Sequence, residues 1–134
     1  MSKKIALIIM FFILGIILIF HFLIFTEQIH YDKVWAGKLK SVEEMKSFET
    51  FSILINLFML VILFMKYKLL EKGTSNKIID LFIWVFVVLF ALNTVGNLFS
   101  QNTIELILGT FLTLTSSILC FIIVKKKQRE NINN

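Results

Sequence analysis

The chain has 134 residues, 57% of them hydrophobic and only 17% charged, with a formal net charge of +5 and a mean hydropathy of +0.85. A soluble domain is nearer half apolar and about a quarter charged, so this composition argues against one. It argues equally against nucleic-acid binding, which needs a basic face on a soluble fold, and a lone cysteine, Cys120, excludes an intramolecular disulfide and any Cys-x-x-Cys redox site.

The first charge-free run covers residues 5–26. A bilayer core of ~30 Å needs about 20 helical residues, so the run predicts a spanning helix. It is too long for the apolar part of a secretory signal, and no small-residue cleavage site follows it, so it is expected to be retained. His21 and Gln28 share one face of this helix. The segment "EQIHYDKVWAGKLK" then forms the longest non-membrane stretch, with Tyr31 and Trp35 suited to an interfacial anchor or a lid.

Ser41-x-x-Glu44 is a capping box, with acids in the first turn, so the second helix is expected over about 42–70, with Gly73 as its stop. Its charge-free part, residues 50–65, makes only about 24 Å of helix. Lys66 and Lys68 are therefore expected to snorkel to the nearer surface. Glu49 is shorter, and is expected at the opposite boundary, pointing into the bundle. Glu49, Ser52 and Asn56 fall on one stripe.

The third helix is expected over about 77–100 and the fourth over about 103–125. Asn93, Asn97 and either Ser100 or Gln101 form a stripe on the third. Asn102-x-x-Glu105 resembles a second capping box, and Glu105, Gly109, Thr113 and Ser117 share a face of the fourth, continued by Cys120. The chain has no proline to kink any of these helices.

Lysine and arginine cluster at the N-terminus (Lys3, Lys4), in the second loop (Lys66, Lys68, Lys72, Lys77) and at the C-terminus (Lys125, Lys126, Lys127, Arg129). The first loop's lysines are diluted by acids, and the third loop has none. Cytoplasmic loops carry the basic excess. The expected fold is thus all-α: a single domain over residues 1–134, an up-down-up-down bundle of four transmembrane helices in the cell membrane with both termini cytoplasmic. The terminal "KKKQR" is placed to touch anionic lipid.

This topology puts His21, Glu49, Ser52, Asn56, Asn93, Asn97, Glu105 and Thr113 at similar depth in the outer half of the bundle. Polar groups facing lipid are costly, so they are expected to face one another or a cavity. The inner half is then a dry apolar plug. Two readings stay open. In one, the amides and hydroxyls are interhelical glue. In the other, they line a pocket open to the extracytoplasmic side and lidded by the first loop, with His21, Trp35, Glu49, Ser52, Asn56, Asn93, Asn97 and Thr113 as candidate ligand-binding residues. No catalytic residue, metal site or cofactor is expected. His21 and His30 stand nine residues apart with no carboxylate at ligand spacing on the same helix.

The stretches "YDKVWAGKLK", "LNTVGNLF" and "FETFSILINLF" together resemble a group of small, uncharacterised four-helix bacterial integral membrane proteins, over nearly the whole chain. The group's loop motif reads Trp-Gly-Gly-Arg-Leu. Ala36 and Lys38 depart from it here, and a lysine in place of arginine removes bidentate anion recognition at that position. The resemblance implies a fold and no activity. Small multidrug transporters have a similar size, but they carry a carboxylate in the middle of the first helix, and "ALIIMFFILGIILIF" has none.

The leading functional expectation is a small, non-enzymatic membrane protein whose polar cluster binds a lipid-like or small amphiphilic molecule. The alternative is an accessory or scaffold subunit that docks a larger membrane partner or a second copy of itself. A third reading is a membrane-embedded isomerase-type enzyme using His21 and Glu49, the titratable pair within the cluster.

Overall fold

The computed structural model describes residues 1–31, 39–100 and 103–126. These form four helices: α1 (Lys3–Phe25), α2 (Val42–Glu71), α3 (Lys77–Leu98) and α4 (Thr110–Val124), the last continuing from a π-helical turn over Glu105–Gly109. No strand occurs among the described residues. All four helical spans are long and apolar enough to cross a membrane.

Local sequence explains the helix ends. The side chains of Ser2, Ser41 and Asn76 accept backbone N–H bonds from Ile5, Glu44 and both Ile78 and Ile79, covering donors that a helix start leaves open. α2 stops at Gly73, whose φ of 69° is a left-handed conformation. Gly73 N–H donates to Leu70 O and Thr74 N–H to Leu69 O, the paired bonds of a Schellman cap. α1 closes in the same way, but with Glu27 at the left-handed position.

Each helix meets its neighbours end to start. His21 near the end of α1 contacts Glu49 near the start of α2, Lys66 late in α2 contacts Asp80 early in α3, and Thr94 late in α3 contacts Thr113 early in α4. Lys3 Nζ donates to Lys125 O, joining the start of α1 to the end of α4. α3 packs most closely on α4, and α1 on α2 and α4.

The larger apolar core lies in the half of the bundle that holds the start of α1 and the end of α4. It is built from Leu7, Met10 and Leu14 of α1, Met59 and Leu63 of α2, Ile83 and Phe86 of α3, and Leu119 and Ile123 of α4, with Ala6 and Cys120 filling between them. Between 28% and 33% of each apolar span is buried. The remaining surface presents side chains such as Phe12, Phe51, Leu92 and Phe111, a finish suited to hydrocarbon and costly in water.

Lys66 departs from expectation. It does not snorkel outward. It is buried at 2% exposure, and its Nζ bonds Asp80 Oδ1 at 2.7 Å. A carboxylate on α3 at the matching depth satisfies the ammonium inside the bundle, so the stem has no need to reach for the surface.

Candidate functional site

The Lys66–Asp80 pair lies in the half of the bundle that holds the start of α1, whereas the contacts His21–Glu49, Thr94–Thr113 and Asn97–Thr113 lie in the opposite half. Its centre is a hydrogen-bonded contact between α1 and α2. His21 Nδ1 lies 2.6 Å from Glu49 Oε2; the Glu49 side chain is 0% exposed and that of His21 18% exposed. Glu49 lies two turns into α2, on the stripe it shares with buried Met45, Asn56 and Met59. A carboxylate held there is strongly desolvated, and a charged hydrogen bond offsets that cost. The contact uses one ring nitrogen of His21. The other, Nε2, makes no hydrogen bond to the described residues. An imidazole oriented by a carboxylate presents its second nitrogen in a fixed direction, as acceptor when neutral and donor when protonated.

A second polar set joins α3 to α4. Thr94 Oγ1 donates to Phe90 O at 2.8 Å and lies 2.9 Å from Thr113 Oγ1. Asn97 Nδ2 donates to Thr113 Oγ1 at 3.4 Å, and Thr113 Oγ1 is 2.7 Å from Gly109 O. Gly109 ends the π-helical turn, and a Cβ there would sit 2.9 Å from Asn97 Cγ. The absence of a side chain lets the Asn97 carboxamide lie against α4. One turn further out, Ser100 Oγ donates to Glu105 Oε2 at 3.0 Å. Thr110 Oγ1 is buried with no hydrogen-bond partner among the described residues.

The single cluster expected from four helices thus appears as two bonded sets. His21 and Glu49 form one; Asn97 and Thr113 belong to the other. Asn56 is buried, but its Nδ2 donates to Ser52 O at 2.7 Å, so the carboxamide turns back on its own helix. Ser52 itself is half-buried. Asn93 is exposed, contrary to the expectation that it faces the interior. The buried stripe of α3 runs through Ile79, Ile83, Phe86, Phe90 and Thr94, so Thr94 occupies the place assigned to Asn93. The reason is local: a threonine hydroxyl satisfies itself on the carbonyl one turn back and is inexpensive to bury, whereas a carboxamide has more donors and acceptors to place. Trp35, Gln101 and the Asn102 capping position lie outside the described residues.

Thr94 was not singled out from sequence, though continuing the three-and-four spacing from Phe90 would have reached it. Among the described residues, neither of two recesses in the surface is lined by Asn56, Asn93 or Asn97. One, of about 710 Å³, lies at the chain-end side among Lys3, Lys4, Leu70, Ile122, Lys125 and Lys126. The other is an apolar groove of about 330 Å³ between α1 and α2, lined by Leu18, Ile19, Phe22, Leu23, Ile53 and Leu57. Comparison of the chain with protein-family models, curated proteins and solved structures returns no match.

Proposed function

We propose that this is a small integral membrane protein that binds a lipid-like or small amphiphilic molecule, with both termini on the cytoplasmic side. The polar end of the ligand is held at His21 and Glu49, and its apolar part lies along the groove between α1 and α2. The observation that carries this reading is the fully buried Glu49 carboxylate orienting a histidine whose Nε2 makes no bond to the described residues. The groove supports it. Leu18 precedes His21 by three residues and Ile53 follows Glu49 by four, so groove and His21–Glu49 pair stack one turn apart on the same two helices. The lysine distribution supports the orientation.

A fatty acid bearing a diazirine, photolysed in membranes containing the protein, is expected to label the segment 18–23 or 53–57 ahead of the outward faces of α3 and α4. Leu18→Trp together with Ile53→Trp fills the groove from its half-exposed rim and is expected to abolish that preference. Uniform labelling of all four helices, unchanged by the tryptophans, would count against a ligand groove. A bound molecule recovered chemically altered would move the reading to acid–base catalysis by the same pair.

The accessory-subunit reading draws on a different observation. Thr94, Asn97 and Thr113 bond one another across α3 and α4, as interhelical glue does. That set is assigned here to holding the two helices together, whichever function the α1–α2 side serves.

A further inference from the structure

The recess at the chain-end side of the bundle has a composition that the proposed ligand site does not use. It is formed by the start of α1 and the ends of α2 and α4. Its wall carries Lys3, Lys4, Lys125 and Lys126 together with the chain's first residue, Met1, and Leu70 and Ile122 also line it. Among the described residues that line it there is no acid. Lys3 Nζ donates to Lys125 O at 2.6 Å, which ties the two basic segments into one rim. Lys4, Lys125 and Lys126 are exposed. The backbone adds to the charge, because the first N–H groups of α1 open at the same place, and Ser2 lines the recess as its N-cap. A flat polybasic tail attracts any anionic surface; a concave basic rim of about 710 Å³ with apolar side chains in its wall favours a ligand that has a phosphate and an adjoining hydrocarbon.

We infer that this recess is a binding site for a phosphate-bearing anion, supplied by an anionic phospholipid headgroup or by free phosphate. Lys4, Lys125 and Lys126 receive the charge, and Leu70 and Ile122 meet the glycerol and first methylenes of a lipid. The inference is independent of which side of the membrane the recess faces.

The test is native mass spectrometry of the detergent-solubilised, delipidated full chain with added phosphatidylglycerol, phosphatidylcholine or inorganic phosphate. Phosphatidylglycerol is expected to bind in preference to phosphatidylcholine. Lys4→Gln with Lys126→Gln is expected to weaken it roughly 25-fold, at about fivefold per lysine. Lys72→Gln with Lys77→Gln removes the same charge from exposed positions outside the recess and is expected to change affinity less than about threefold. Inorganic phosphate that displaces the lipid at millimolar concentration would make free phosphate an occupant of the same site; failure to displace it would assign the site to the lipid. Equal binding of the two lipids, or equal weakening by the two double variants, would overturn the inference.

Discussion

Asn97 and Gly109 are matched to one another. The carboxamide carbon of Asn97 occupies the space that a side chain on Gly109 would need, at 2.9 Å from the Cβ position. Gly109→Ala is therefore expected to force Asn97 off Thr113 and destabilise the bundle by about 1–3 kcal/mol. In an Asn97→Ala background the same substitution should cost clearly less, because the clashing atoms are gone. Thermal unfolding of the four proteins in one detergent reads the coupling. Strictly additive effects would mean that the close approach has no energetic weight.

The His21–Glu49 pair makes an asymmetric prediction. His21→Ala takes a hydrogen-bond partner away from a carboxylate with no exposure and is expected to destabilise by about 1.5–3 kcal/mol. Replacing both residues, as His21→Leu with Glu49→Leu, removes the charge with its partner and should be markedly less harmful than His21→Ala alone. Chemical unfolding in mild detergent compares the two. A double variant worse than the single would contradict the weight given to the His21 contact in offsetting the burial of Glu49.

The Lys66–Asp80 ion pair should behave unequally at its two ends. Lys66 is 3% exposed at its side chain and Asp80 29% exposed. Asp80→Asn strands a buried ammonium and is expected to cost about 3 kcal/mol or more. Lys66→Met leaves Asp80 with access to solvent and supplies apolar contact, so its cost should be the smaller. The order of the two melting temperatures settles the matter, and the reverse order would contradict the burial assigned to Lys66.

The two asparagines of α3 are expected to separate. Asn93 is exposed and Asn97 is packed on α4. Asn93→Leu should lie within about 0.5 kcal/mol of the parent, as an outward position does. Asn97→Leu, which loses its bond to Thr113 and meets Gly109, should cost about 1–2 kcal/mol. A strong effect at Asn93 would place it in an interface with another molecule.

These pairs also mark what could be seen in the sequence. The four helices could, because three charge-free runs approach the length a bilayer needs and the caps at Ser41 and Gly73 bound the shorter second run. The apolar cluster of the inner half followed from the same runs, but that half also holds the buried Lys66–Asp80 pair, so it is not the wholly apolar plug expected. His21 and Glu49 could be placed at one depth, since each helix sets its own register against the membrane. Their contact could not, because it depends on how α1 is rotated against α2. Asn93 was misplaced for that reason: one residue along a helix turns the side chain by about 100°, and both Asn93 and Thr94 are polar enough to claim the inner face. Lys66 was misplaced because its partner, Asp80, lies on another helix, and the offset between helices is decided by packing. The Gly109 π-helical turn has no clear sequence signature beyond the glycine itself.

The measurement that bears most directly on the proposed function is native mass spectrometry of the gently extracted protein beside its Glu49→Gln variant. A lipid-like or amphiphilic molecule is predicted to accompany the parent protein in defined stoichiometry and to be lost from the variant, while the variant stays folded. A bare protein in both preparations, with Glu49→Gln merely less stable, would contradict the account and leave His21 and Glu49 as a structural clamp between α1 and α2.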